Sequence, residues 1–512
     1  MTLIPKSRGA KQILGLVVLS ALLSPIAVSF AQRSETPPAR NVTYMPARST
    51  PLVALRIAFR AGSQDDPKGK EGLASLTAAM VAQGGSKDLT YEQVLERFYP
   101  MATGLSGSCR KEVTVFEGEV HGDNLLKYVP LVASLLTAPR FAPDDLERLR
   151  NEALDYVGKN LRGGNDEELA KWTLQLAIYK DHPYGHVDAG TIAGLKAITL
   201  DDVKAFHRRH YTREALVLGV AGQADQETLG AIEKQLAALP SNESKPPVLP
   251  RPVAADGLDV TIVEKPAAST AISIGFPIDV TRRDDDFYAL AVANSYLGEH
   301  RTFNGKLMQD LRGKRGLNYG DYSYVEDFVQ DGPSTFPVPN NPRRRQAFTI
   351  WLRPVPNDKA AFALRAALWE LEKLNKEGMP PEDFEATRAY LLNYSKLWVQ
   401  TISRRLGYQM DGSFYGTGDL VSEMANRLPK LTVEEVNAAV RRHLKPKGMR
   451  VAIVTKDAEG LAKALKSNAP SPIAYDTLGT SETILNEDKV IAVLPLKDVS
   501  IKVVPVAEMF EN

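Results

Sequence analysis

Two stretches of the chain echo one another at an offset of more than 200 residues, and this echo constrains the fold more than any other feature. Thr199-Leu200-Asp201-Asp202-Val203 leads to Arg208-Arg209-His210. Thr432-Val433-Glu434-Glu435-Val436 leads to Arg441-Arg442-His443 at the same spacing. Each opens with Thr and an acid three residues on, the pair that satisfies the free N–H groups at a helix start. Each is followed by an apolar strand, Ala215 to Ala221 and Met449 to Val454. A second echo pairs Pro143-Asp144-Asp145-Leu146-Glu147 with Pro381-Glu382-Asp383-Phe384-Glu385. The offset is too long for a solenoid unit and fits two duplicated domains.

The rest of the chain fits that division. With 512 residues, 44% hydrophobic and 24% charged, it has ordinary globular composition and enough length for two cores. Lys6, Arg8 and Lys11 form a basic start, Ile13 to Leu23 is apolar, and Ser29-Phe30-Ala31 offers small residues. Residues 1–31 therefore read as a secretory signal cleaved near Ala31, with Pro25 and the short apolar run arguing against a membrane span. Loss of those three cations moves the formal net charge from +1 to −2, which suggests neither nucleic acid nor an anionic membrane as partner. An exported chain whose single cysteine is Cys109 has no internal disulfide framework, and Cys109 reads as a small buried or loop thiol. The expected domains are residues 32–245 and 246–470, joined through the Pro-rich stretch Leu239 to Pro252, with a tail at 471–512. Each domain is expected to be α+β, a mostly antiparallel sheet with helices packed on one side. In the tail, Val490 to Leu494 and Ile501 to Val506 read as strands. Val329 to Arg345 reads as a long surface loop, Arg343-Arg344-Arg345 included.

The stretch Gly72 to Gly85 has Ala-rich helical composition with an apolar stripe at Leu73, Leu76, Ala79 and Met80, stopped by a double Gly. A short alternating strand, Val53, Leu55, Ile57 and Phe59, precedes it across a loop, Ala61 to Pro67. This strand, loop and helix resemble the start of the insulinase/pitrilysin family of zinc peptidases, the inverzincins. Active members read G-L-A-H-x-x-E-H-M there, with both His holding zinc and the Glu activating water. Gly72-Leu73-Ala74 and Met80 match, while the chemical positions fall on Ser75, Ala78 and Ala79. A hydroxyl and two methyl groups neither hold zinc nor take a proton from water. Active members also use a Glu further along as third ligand; Glu152 and Asp155 lie near that region, but neither helps without the two His.

The resemblance extends through His182-Pro183-Tyr184-Gly185 with Gly190, through Val220-Ala221-Gly222, and through Leu311-Arg312-Gly313-Lys314-Arg315-Gly316-Leu317-Asn318-Tyr319. The subtype it resembles is the bacterial processing-peptidase-like enzymes, which carry two such domains per chain. These often work as pairs of unequal subunits, one with zinc and the other with an Arg and a Tyr. Arg312 and Tyr319 keep the family spacing, and the resemblance implies that they face a zinc site across a closed chamber. A guanidinium or phenol aimed at a peptide carbonyl stabilises the charge that hydrolysis develops there. Where the family often has a Gly-rich loop, this chain reads Leu297-Gly298-Glu299-His300-Arg301-Thr302-Phe303-Asn304-Gly305.

Other motifs are weaker. His182 and His186 are separated by Pro183 and Gly185, which break the helical face a zinc pair uses. His207 and His210 sit beside Arg208 and Arg209, cations that oppose metal binding, and read as a solvated helix face. No nucleophile elbow, phosphate loop or dinucleotide fingerprint occurs. The expectation is an exported, non-catalytic subunit without a cofactor of its own. It would lend Arg312 and Tyr319 to a homologous zinc-bearing partner acting on peptides. The alternative is an inert scaffold or peptide-binding protein of the same fold.

Overall fold

The alternating run Val53, Leu55, Ile57 and Phe59 becomes the middle strand of a five-stranded sheet. In the computed structural model, which describes residues 41–242, 247–475 and 480–512, that sheet has the order β1-β5-β2-β4-β3. Its strands are β1 (Val42–Pro46), β2 (Leu52–Phe59), β3 (Ser106–Cys109), β4 (Thr114–His121) and β5 (Leu216–Gly222). The expected signal, residues 1–31, lies outside the described residues. The second half forms β6 (Leu258–Glu264), β7 (Thr270–Ile278), β8 (Asp321–Tyr324), β9 (Gln346–Val355), β10 (Met449–Thr455) and β11 (Val499–Pro505). Their order is β11-β6-β10-β7-β9-β8. β5 runs parallel to β1 and antiparallel to β2. β10 repeats this, parallel to β6 and antiparallel to β7. Without β11 the two sheets share one topology, so the echo in the sequence is a duplication of whole α+β units.

The first half carries α1 (Leu73–Gln83), α2 (Tyr91–Phe98), α3 (Leu125–Thr137), α4 (Pro143–Asp155), α5 (Asp166–Ile178), α6 (Ile192–Ala197), α7 (Leu200–His210) and α8 (Gln226–Leu236). The second carries α9 (Asp285–Gly298), α10 (Ala360–Glu377), α11 (Pro381–Leu397), α12 (Ile402–Tyr415), α13 (Leu420–Arg427), α14 (Val433–His443), α15 (Ala458–Lys466) and α16 (Glu482–Ile491). The paired Thr-acid starts cap α7 and α14 reciprocally. Asp202 N donates to Thr199 Oγ1 and Thr199 N to Asp202 Oδ2; Glu435 and Thr432 repeat both bonds. No helix among the described residues is long and apolar enough to cross a membrane.

The core helices of each half pack on one face of its sheet, as expected, and a helix of the other half covers the opposite face. Val53, Leu55, Ile57 and Phe59 join Leu73, Leu76 and Met80 in the core of the first half. On the opposite face, Ala54, Ala58, Val217 and Ala221 pack against Leu406 and Met410 of α12, a helix of the second half. Small residues open the slot: a Cβ on Gly219 would fall 2.4 Å from Met410 Sδ. The second sheet reciprocates, with Leu174 and Ile178 of α5 packed with Ala347 and Ala452. Each sheet is therefore clamped by a helix of the other half. Burying two large side chains per clamp contributes several kcal/mol, at about 1.5–3 kcal/mol for each fully buried one.

Polar latches cross the same seam. Arg56 Nη1 donates to Asn340 Oδ1 at 2.6 Å, and its Nη2 to Ser403 Oγ at 3.1 Å. Residues 329–345 form neither helix nor strand, but their later part is not the surface loop expected. Arg343 is buried and pairs with Asp327 at 2.7 Å; Arg344 Nε bonds Glu112 of the first half at 2.6 Å. Arg345 Nη2 donates to Leu249 O at 2.8 Å, tying down the Pro-rich connecting stretch. All three guanidiniums are engaged within the chain. The tail differs too: Val490 and Ile491 end α16 rather than starting a strand, whereas β11 covers the second segment expected. Beyond β11 the chain returns to the first half, where Phe510 O and Glu511 O accept from Ile192 N and Ala193 N at 2.9 and 2.8 Å.

Candidate functional site

The helix that resembles a zinc helix is held by a buried carboxylate at its start. Asp66 accepts from Gly72 N and Ala74 N, each at 2.7 Å, and lies 3.1 Å from His186 Nε2. Burial pushes this carboxyl's pKa up, against those donors. Gly72 has φ 107° and its Cβ would meet Gly190 Cα at 2.8 Å, so only glycine fits. One turn on, Ser75 Oγ donates to the backbone oxygen of Asp188 at 2.5 Å. Ala78 is buried, and Ala79 is half-buried against the first-half core. Asp188 itself accepts from Ser63 Oγ at 2.7 Å and pairs with Lys111 Nζ at 2.8 Å. Burial raises its pKa, but Lys111 and Arg343 outweigh that and hold it down to about 2.

This donor set does not fit zinc. The Ser75 hydroxyl is committed to a carbonyl, and the Ala78 and Ala79 methyl groups carry no lone pair. Glu152 and Asp155 are exposed on α4 and pair with Arg148 and Lys159 at 3.2 and 2.8 Å. Among the described residues no group of three His, Cys, Asp or Glu could hold a metal ion. Burial pushes the Cys109 thiol up to about 12, which leaves it inert as a nucleophile. His182 lies 3.1 Å from Pro250 O. His207 is buried, 2.8 Å from Leu136 O, not on the solvated face expected. His210 is half-buried with its ring 4.3 Å from that of Phe206, and burial, helped by Arg209, lowers its pKa to about 4.

The second half brings Arg312 and Tyr319 together. Arg312 sits in a wide helical turn, Met308–Gly313, and Tyr319 in the bend that enters β8. The Arg312 guanidinium lies over the Tyr319 ring at 5.8 Å and over the Phe303 ring at 4.9 Å. Tyr319 is 78% exposed and Phe303 67%. Beyond these rings, Arg312 makes a weak contact from Nη1 to Met308 Sδ at 3.9 Å and no ion pair among the described residues. Asp321 lies just beyond, buried, with Oδ1 accepting from Asn318 Nδ2 at 2.6 Å and Oδ2 unpartnered. Burial pushes its pKa up to about 8 despite Asn318 and Arg312, so at neutral pH it is largely protonated and does not neutralise the guanidinium.

Sequence reasoning missed Phe303. The signal was available, since an aromatic side chain stands in the loop that replaces a Gly-rich one. That loop leaves the end of α9 and is pinched where its two glycines meet: a Cβ on Gly305 would fall 2.9 Å from Gly298 Cα. His300 anchors its base, buried among Tyr322, Tyr324 and Phe328 with Nδ1 2.6 Å from Tyr324 Oη.

Helix α5 joins the two regions. Its Trp172 ring lies 5.4 Å from Lys111 Nζ, the ammonium that pairs with Asp188. Lys171 Nζ stands 3.9 Å over Trp351, and Glu167 meets Arg353 at 3.3 Å. Arg353 N in turn donates to Gly320 O, next to Tyr319.

Comparison with known proteins agrees with this architecture. The model of the insulinase family, peptidase family M16, matches residues 42–186, and that of the peptidase M16 inactive domain matches residues 197–391. An uncharacterized zinc protease of Mycobacterium tuberculosis is 26% identical over 344 residues, 66% of this chain and 74% of that protein. The non-peptidase homolog YmxG of Helicobacter pylori is 22% identical over 425 residues, 81% and 91% of the two chains. The crystal structure of a peptidase M16 inactive domain from Pseudomonas fluorescens superposes with TM-score 0.70 at 24% identity, covering 82% of this chain and 96% of that one. Two family models in sequence order and a shared two-sheet fold place the chain in the insulinase family, peptidase family M16, as a member without the zinc motif.

Proposed function

We propose that the chain is a non-catalytic subunit of an exported heteromeric zinc peptidase, closing over a homologous zinc-bearing subunit and lending it Arg312 and Tyr319. One observation carries this reading: an exposed Tyr319 and a half-buried Arg312 stand together, the guanidinium without an ion pair among the described residues, while the positions for zinc chemistry are occupied by Ser75, Ala78 and Ala79. Donors held so are available to a ligand, whereas a scaffold gains nothing from them. As the peptide carbonyl becomes tetrahedral, the Tyr319 hydroxyl donates to its developing negative oxygen. Arg312 holds the neighbouring backbone or a carboxylate through paired N–H groups. The zinc belongs to the partner, and none of this chain's residues contacts the metal. Export rests on the basic-then-apolar start that ends near Ala31.

The name of the H. pylori relative, a non-peptidase homolog, favours a second reading in which the fold serves only as scaffold or peptide-binding protein. Affinity purification of the exported chain from its own source tests the first. A homologue bearing H-x-x-E-H should co-purify in fixed ratio, and peptidase activity should require both chains. A chain recovered alone, with no activity gained from any such homologue, overturns it.

A further inference from the structure

The Phe303–Arg312–Tyr319 cluster has more than the Arg and Tyr need. Two large exposed rings lie against one guanidinium that pairs with no carboxylate among the described residues. Large exposed aromatics next to an unpaired cation form a composite surface, apolar faces around one anion-seeking fork. The nearest carboxyl group, Asp321, is buried and largely protonated at neutral pH, so it leaves the positive charge available. The display of Phe303 is built rather than incidental. The loop is closed at Gly298 and Gly305, where any side chain would clash, and pinned by His300 in its aromatic box.

We propose that Phe303 is a specificity-determining residue, and that the surface it forms with Arg312 and Tyr319 selects peptides carrying a large apolar side chain next to a carboxylate. This rests on the reading that Arg312 and Tyr319 meet a peptide, and it names the peptide's class. The apolar side chain packs on the Phe303 ring, and the carboxylate accepts from the Arg312 guanidinium. The carboxylate comes from an acidic side chain or from the peptide's own C-terminus. Both present the same planar pair of oxygens to the fork. His300 is a positioning residue that acts only through the loop.

The test uses N-terminally fluorescein-labelled nonapeptides of Ala and Ser that end in Phe-Glu, Phe-Gln or Ala-Glu, each as C-terminal acid and amide. Binding to the full-length chain is read by anisotropy. The wild type should hold Phe-Glu about tenfold more tightly than Ala-Glu, the size expected for one aromatic contact. Phe303→Ala should abolish that discrimination while keeping the preference for Glu over Gln. Phe303→Leu should restore most of it. Arg312→Gln should remove the preference for carboxylate and leave the Phe preference. A preference for acid over amide in the Phe-Gln peptide, lost in Arg312→Gln, assigns the carboxylate to the chain terminus. A preference for Glu over Gln assigns it to the side chain. Circular dichroism checks folding, which an exposed side chain leaves intact. Equal binding of Phe-Glu and Ala-Glu by the wild type, discrimination surviving Phe303→Ala, or no binding of any peptide overturns the proposal. These outcomes are distinct from failure of the subunit reading, which is judged by turnover of the two-chain complex and not by side-chain preference.

Discussion

The guanidinium of Arg312 lies 5.8 Å from the centre of the Tyr319 ring, seven residues further along the chain. A wide helical turn and the bend into β8 bring the two together, and neither side chain is absorbed into the core. In the first half, the positions where active relatives carry metal chemistry are closed by a serine-to-carbonyl bond and two methyl groups. On the proposed reading, the molecule keeps the half of the machinery that would touch peptide.

The isolated chain should bind no stoichiometric zinc and cleave no peptide, because Ser75, Ala78 and Ala79 offer no ligand or base. Metal analysis of the purified chain by mass spectrometry checks this. One tightly held zinc per chain, with chelator-sensitive peptidase activity, contradicts it.

Asp321 sets a pH dependence. Its folded pKa, pushed by burial up to about 8, stands far above the roughly 3.9 of an unfolded Asp. Between those values the folded chain holds a proton that the unfolded chain has released. This group's contribution to stability is therefore full below about pH 4 and lost as pH rises towards about 8. Asp321→Asn keeps the shape and removes the titration. Its melting temperature should fall by several degrees less than that of the wild type between about pH 5 and about pH 8. Parallel curves for the two proteins exclude the effect.

Cutting the connecting stretch should not free the halves. The described residues between Leu236 and Leu258 form no helix or strand, so a protease should nick there first. Yet α5 and α12 each pack on the other half's sheet, Arg56 and Arg344 bridge the seam, and the tail ends on α6. Size exclusion after nicking should show one species of full size that separates only in denaturant. Two half-size species in native buffer count against the interlock.

Much of this fold is legible from local chemistry. The Thr-acid pairs mark α7 and α14 because capping is satisfied within four residues, and the Gly72 to Gly85 stretch marks α1 by its stripe and its stops. What stays hidden depends on partners distant in sequence. Ala54, Ala58 and Gly219 look like ordinary small strand residues until α12, far along the chain, fills the space above them. Arg343 and Arg344 read as a loop because their carboxylates, Asp327 and Glu112, are not their sequence neighbours. Val490 reads as strand because a short apolar run fits the last turn of a helix equally well. At the candidate site the motif singles out Arg312 and Tyr319, which the structure brings together, but nothing in the spacing reveals the Phe303 ring under the same guanidinium.

The most direct test of the subunit reading is the peptidase rate of the two-chain complex with Tyr319→Phe in this chain. The change removes one hydroxyl from an exposed side chain and leaves the ring, so folding and assembly should persist, as circular dichroism and size exclusion would register. The account predicts a loss of turnover on the order of a hundredfold, typical of removing one oxyanion donor, and a further loss of substrate affinity in Arg312→Ala. Full activity in both variants, each still bound to its zinc-bearing partner, would contradict it.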